Sequence, residues 1–271
     1  MMEMLFSPLF SGSSGNCIYV GTREEAVIVD AGVSARAIRE EMERVGLDAG
    51  AVKAILVTHE HTDHITGVGA LARGLGVPVY ATEGTWRGME KRLGKLAEEQ
   101  KRTVQAGVDF YIGGIDVMPF ETPHDTNEPC GYAFSVGGLK AAVATDIGCV
   151  KESWLCHVRG SDIVLLESDY DEDMLLAGSY TYELKRRIRG RRGHLSNEDA
   201  GRVAAELAAT GTKRIILGHM SQNNNFPDLA LRTIESILLD REILPGRDVM
   251  LSVARRDGCS GVFAARMQAE D

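Results

Sequence analysis

This 271-residue sequence has no apolar run long enough to cross a membrane. Its first residues, Met1-Met2-Glu3-Met4-Leu5-Phe6, lack the basic start and cleavage site of a secretory leader. The five cysteines (17, 130, 149, 156 and 259) are odd in number, scattered, and never form a Cys-x-x-Cys pair. A zinc ribbon is therefore excluded, and reduced thiols in a cytoplasm are expected. Pro- or Ser-rich linkers and internal repeats are missing as well, so residues 1–271 are expected to form one domain. Positive charge is not in excess. The net charge of −9 excludes a surface that binds nucleic acid everywhere, and leaves room only for a local one. The hydrophobic fraction of 44% is ample for a core.

What is present is concentrated in one place. Residues 58–64 are Thr-His-Glu-His-Thr-Asp-His, with His59, His61, Asp63 and His64 crowded into six positions. They follow Ala54-Ile55-Leu56-Val57, which has the length and β-branching of a buried strand. A helix-like stretch from Ile65 to Leu75 comes next. The spacing predicts a strand-to-helix turn on which His59 and His61 grip one ion while Asp63 and His64 face a second.

The H-x-H-x-D-H pattern resembles the signature of the metallo-β-lactamase fold superfamily. The chain is similar to it in order from Ser7 to about Ser260, most of all to the YycJ/WalJ-type bacterial metallohydrolases near the nuclease branch. The resemblance implies an α/β, four-layer αββα sandwich and two divalent ions (Zn, Mn or Fe). It also implies 5′-to-3′ exonuclease action on DNA. It carries His124, in the turn after strand 115–120, over as the third ligand of the first ion, and Asp146 as the bridging carboxylate. Asp146 stands where a thiolate would mark the β-lactam-hydrolysing enzymes, and so points away from them. Asp30, at the end of Val27-Ile28-Val29, is implied to support the histidine motif from behind. Asn16, in Gly12-Ser13-Ser14-Gly15-Asn16, is implied to line the active-site wall.

Later in the chain, Lys185-Arg186-Arg187-Ile188-Arg189-Gly190-Arg191-Arg192 places six basic residues in eight positions, one glycine before His194. The unit His194-Leu195-Ser196, helix, strand, His219-Met220-Ser221 resembles a segment of tRNA 3′-processing ribonucleases of this fold. It implies His219 as the last ligand of the second ion. His194, paired with Glu167, is implied to lie at the scissile phosphate, with Asp63 orienting water. Arg186, Arg189 and Arg192, with Ser196, are expected on the substrate side, and DNA is favoured over RNA. Only 72 residues separate Asp146 from His219, too few for an added clamp domain.

Three alternatives stay open on sequence alone: a hydrolase of small phosphodiesters or thioesters, a di-iron redox protein, and a non-catalytic binding module. The oligomeric state is not legible. Elsewhere, helices are expected over 34–45, 83–100, 198–208 and 227–239, and a hairpin turns at Gly137-Gly138. Late strands are expected at 249–253 and 261–264. His157 is expected on a turn after Trp154, in a structural role.

Overall fold

The computed structural model describes residues 2–267. The first half of the chain lays down β1 (Glu3–Phe10), β2 (Cys17–Gly21), β3 (Ala26–Val29), β4 (Val52–Leu56), β5 (Val79–Ala81) and β6 (Lys101–Thr103). The second half lays down β7 (Phe110–Ile112), β8 (Ile115–Glu121), β9 (Cys130–Val136), β10 (Leu139–Ala144), β11 (Ile163–Glu167), β12 (Arg214–Gly218) and β13 (Met250–Val253). The last strand, β14 (Phe263–Arg266), returns to the edge of the first sheet. The two sheets run β14-β1-β2-β3-β4-β5-β6 and β13-β12-β11-β10-β9-β8-β7. In each, a run of parallel strands, β3 to β6 or β10 to β13, follows an antiparallel meander.

Strand periodicity explains the layers. Along β3, Ala26 and Ile28 face outward to the helices, while Val27 and Val29 face the opposite sheet. Along β10, Ala141 and Val143 face the opposite sheet, and Ala142 and Ala144 face the outer helices. Both faces of these strands are covered, which is why they appear in the sequence as unbroken apolar runs rather than alternating ones. Outside the first sheet pack α1 (Ala35–Arg44), α2 (Thr62–Ile65), α3 (Val68–Leu75) and α4 (Glu83–Met89). The second half supplies α5 (Glu152–Val158), α6 (Glu172–Ala177), α7 (Tyr182–Ile188), α8 (Asn197–Ala209) and α9 (Pro227–Leu239). Of these, α5, α8 and α9 cover the second sheet. The order of layers is helix, sheet, sheet, helix, as expected.

Local departures have local causes. The stretch expected to be helical over 83–100 is helical only to Met89, and continues as two short 3-10 turns that lead up to the edge strand β6. Gly94, at φ 71°, turns the chain so that Leu93 and Leu96 enter the core. The stretch 65–75 is interrupted at Gly67, whose N–H is drawn off to the Ala31 carbonyl. His157 sits on α5, not on a turn, and stacks on Phe120 with ring centres 5.9 Å apart. The last strand lies two residues later than expected, at Phe263–Arg266. Helix α8 starts as the sequence indicates, with the Ser196 hydroxyl accepting from the Asp199 N–H.

Candidate metal centre

The functional side chains gather at one rim, at the carboxyl ends of the parallel strands, where open α/β sheets place their sites. Asp30 follows β3, the 58–64 motif follows β4, Asp146 follows β10, Glu167 ends β11 and His219 follows β12. Asp30, Asp146 and His219 have φ of 57°, 58° and 51°. The left-handed region costs a non-glycine residue on the order of 1–3 kcal/mol. Three of the four such residues among those described therefore lie in this rim, each at the point where its strand turns abruptly. A close backbone approach locks the arrangement. The Asn16 N–H donates to the Asp63 carbonyl at 2.8 Å, and a Cβ on Gly32 would fall 1.7 Å from that same oxygen.

Hydrogen bonds fix which nitrogen each imidazole offers. The Thr58 hydroxyl spends its proton on Asp30 Oδ2 (2.9 Å), so it accepts from His59 Nδ1 (3.0 Å) and leaves the His59 Nε2 lone pair free. His64 Nδ1 donates to Asp30 Oδ2 at 2.8 Å. His124 Nδ1 donates to the Gly193 carbonyl at 3.0 Å. Each places Nε2 toward the centre. His61 presents Nδ1, which lies 3.1 Å from His59 Nε2 and 3.4 Å from His124 Nε2. His219 Nε2 lies 3.4 Å from Asp146 Oδ1 and 3.5 Å from Asp63 Oδ2. Asp146 faces both sets, with Oδ1 3.9 Å from His59 Nε2 and Oδ2 3.5 Å from His64 Nε2.

These donors suit a divalent metal ion. Potential ligand atoms lie within 4.8 Å of one another in the groups His59-His61-His124, Asp63-His64-His219, His59-His64-Asp146 and Asp146-Glu167-His194-His219. A tetrahedral ion with bonds of about 2.0–2.1 Å sets its ligands roughly 3.3 Å apart, the separation seen here between facing lone pairs. Asp146 Oδ2 and His219 Nε2 are buried with no hydrogen-bond partner, a costly state that a cation relieves, while His219 Nδ1 lies 3.3 Å from Glu167 Oε1 on the other side of the ring.

Charge divides the cluster. Burial, reinforced by His64, holds His59 well below the ordinary histidine range. Burial likewise lowers His61, and takes His124 down to about 4. Those three are neutral donors at neutral pH. For His64 and His219 burial also opposes charge, but the carboxylates around them, Asp146 first, outweigh it and raise both. A cation entering beside Asp63 thus displaces protons.

Beside the cluster, His194 Nδ1 donates to Glu167 Oε1 at 2.7 Å, and Glu167 Oε2 accepts from the Ile147 and Leu195 N–H groups. The His194 side chain keeps 18% of its exposure, against 0% for Glu167, so its Nε2 faces the open side. Burial lowers the His194 pKa, but Glu167 and Asp169 overcome that and raise it to about 9.

The structure brings His59, His61, Asp63, His64, His124, Asp146, His219, His194 and Glu167 together, with Asp30 directly behind His64. The expected substrate-side residues are distributed differently. Asn16 is buried, with Nδ2 3.1 Å from His64 Nε2 and 3.5 Å from Asp63 Oδ2, so it steadies the 63–64 turn and does not face outward. Ser196 is occupied as the cap of α8. Arg192 donates to the carbonyls of His124 and Thr126, and Arg189 pairs with Glu172. Arg186 remains exposed. Thr58 escaped the sequence analysis. Its signal was a hydroxyl immediately before the first histidine of the motif.

The model of the beta-lactamase superfamily domain matches residues 25–220. The chain belongs to that family. Among curated relatives, it is 40% identical over 240 residues to the exodeoxyribonuclease YycJ of Bacillus anthracis, covering 89% of this chain and 91% of the relative. It is 39% identical over 245 residues to the exodeoxyribonuclease WalJ of Streptococcus pneumoniae strain D39, covering 90% and 91%. Among solved structures, zinc-bound PqqB from Methylobacterium extorquens superposes with a TM-score of 0.72 at 17% identity, covering 98% of this chain and 100% of that one, a likeness of fold. The family, the sandwich and the metal-dependent hydrolase of the nuclease kind expected from the sequence are borne out.

Asp30 offers a clean test of how the centre is held. Asp30→Asn keeps the shape but not the carboxylate that receives the His64 proton. Divalent-metal affinity is expected to fall by ~10–100-fold, the usual cost of losing such an orienting partner. Competition with a chelator of known affinity measures it, and an unchanged affinity would remove Asp30 from this role.

Proposed function

We propose that the chain is a dinuclear-metal phosphodiesterase, a cytoplasmic 5′-to-3′ exonuclease whose substrate is DNA. One observation carries the reading: a chain similar over about nine-tenths of its length to exodeoxyribonucleases keeps a full set of nitrogen and oxygen donors at one rim. The five free cysteines fit a reducing compartment, and no described helix is long and apolar enough to cross a membrane.

In this reading His59, His61 and His124 would hold one ion and Asp63, His64 and His219 the other, with Asp146 between the two sets of donors. Zinc, manganese and iron all suit such donors. Bound there, the ions would supply hydroxide near neutral pH and offset charge on the phosphoryl oxygens. The remaining work falls to the chain. Asp30 and the Gly193 carbonyl keep the rings of His64 and His124 from rotating. Asp63 accepts a hydrogen bond from the attacking water. Glu167 holds His194 by Nδ1, and His194 Nε2 gives a proton to the departing oxygen. Purified protein reconstituted with excess zinc or manganese is expected to hold two ions per chain and to hydrolyse a model phosphodiester. At most one ion, or two ions with no turnover, contradicts the reading.

The basic segment divides by its contacts. Lys185 is spent on the Leu176 and Gly178 carbonyls, and Arg187 on Asp125. Arg189 and Arg192 are likewise engaged, which leaves Arg186 and Arg191 as exposed cations for phosphate. Arg186→Gln with Arg191→Gln is expected to weaken DNA binding and to flatten its logarithmic salt slope by about 0.7–0.9 per lost contact. Arg192→Gln acts otherwise. It frees the 124–126 turn and lowers turnover of a small phosphodiester as well. Binding titrations at several salt concentrations check this, and no change in either would move the substrate toward small phosphodiesters.

A further inference from the structure

Next to His219 lies a cleft of about 490 Å³. Ser11, Met220, Phe226, Arg255 and Arg256 are among the residues that line it. It adjoins the metal centre, because the Ser11 hydroxyl accepts from the His219 N–H at 3.0 Å and Met220 is the next residue. Three properties of this cleft are out of keeping with an ordinary surface.

The first is an aromatic ring in water. Phe226 is 48% exposed in a chain with only seven phenylalanines, six of which are buried or half-buried. The second is charge. Two guanidinium groups face one carboxylate, Asp257, in a protein of net charge −9. Arg256 is fixed by its Nη2 donating to the Met220 carbonyl at 3.0 Å, and Arg255 stays exposed. The third is rigidity. Asn225 Oδ1 accepts from the Phe226 N–H at 3.0 Å and from Asn197 Nδ2 at 3.1 Å. Asn225 Nδ2 donates to Asn197 Oδ1 and to the Ser168 carbonyl, and the Ser168 hydroxyl donates to Asn197 Oδ1 at 2.6 Å. A buried polar network of this kind holds one backbone geometry. Here it holds the residue that carries the exposed ring, so little ordering remains to be done when something stacks on it.

We propose that this cleft is a subsite for single-stranded DNA, in which Phe226 stacks against a base next to the scissile bond and Arg255 contacts the adjoining phosphate, with the fixed charge of Arg256 behind it. An exposed aromatic beside cations is how proteins grip single strands irrespective of sequence. The proposal rests on the nuclease reading. It adds where the strand runs: from the metal centre past His219 toward α9.

The test uses metal-loaded full-length protein and a phosphorothioate-linked single-stranded decamer carrying 2-aminopurine, whose fluorescence falls on stacking. Phe226→Ala should weaken binding by roughly 5- to 150-fold and abolish the quench, since base–aromatic stacking is worth that much on alanine substitution. Phe226→Trp should keep both. Arg255→Gln should lower the logarithmic salt slope by about 0.7. Leu239→Ala, an equally exposed apolar residue at the far end of α9, should bind as wild type. Phe226→Ala that binds and quenches like wild type, in protein that still cleaves DNA, overturns the cleft and leaves the nuclease reading standing. Wild-type protein that neither binds nor cleaves DNA overturns both.

Discussion

Asp146→Ala is expected to empty the metal centre and to end hydrolysis. Among the described residues, Asp146 is the one carboxylate within 4 Å of His59, His64, His124, His194 and His219 together. It is buried, and its Oδ2 has no hydrogen-bond partner, which places it to face cations. The loss of metal affinity should exceed the ~10–100-fold that removal of an orienting partner such as Asp30 costs. The metal-free protein should suffer too. Asp146 is the leading charge that stabilises protonated His64 and His219, and stripping one partner from a buried ion pair costs about 3–5 kcal/mol. Elemental analysis and melting in chelator measure the two effects. An Asp146→Ala protein that retains its full metal content would show that the donors have been assigned wrongly.

His194→Ala should separate chemistry from metal binding. The ring sits on the open side of the cluster, with Nδ1 tied to Glu167 and Nε2 directed outward. Its loss is expected to lower kcat by ~10²–10⁴-fold, the range for a general acid, with metal content unchanged. Asp63→Asn should lose both, because its Oδ2 lies 3.4 Å from His64 Nε2 and 3.5 Å from His219 Nε2. If His194→Ala sheds metal as readily as Asp63→Asn, then His194 is a ligand. If it turns over at the wild-type rate, the leaving oxygen is protonated by another group.

Much of this arrangement was legible in the order of residues. Strands buried on both faces appear as unbroken runs, so β3, β4, β10, β11 and β12 and the acids and histidines at their ends could be placed by number. The motif at 58–64 is dense enough to be recognised without the fold, and Ser196 and Pro227 mark the starts of α8 and α9 by side-chain chemistry alone. Where the sequence misled, long-range contacts decided. The stretch 90–100 looks helical by composition, yet forms only short 3-10 turns ahead of Lys101–Thr103, which pairs with β5 as a charged edge strand. Arg189 and Arg192 look like free cations in a basic run, but find Glu172 and two carbonyls that are distant in sequence. Asn16 looks like a loop residue open to substrate, and is covered because Gly32 lets the 63–64 turn close over it. The Phe226 cleft joins residues from three widely separated segments, so no single stretch announces it.

The most direct test of the account is hydrolysis of DNA labelled at one end. Manganese- or zinc-loaded protein is incubated with single-stranded oligonucleotides carrying the label at either the 5′ or the 3′ terminus, and the products are resolved by length. The expected result is early release of labelled mononucleotide from the 5′-labelled strand, a shortening ladder from the 3′-labelled strand, and loss of both with His194→Ala. Intact oligonucleotides after prolonged incubation, from protein shown to hold two ions per chain, would contradict it.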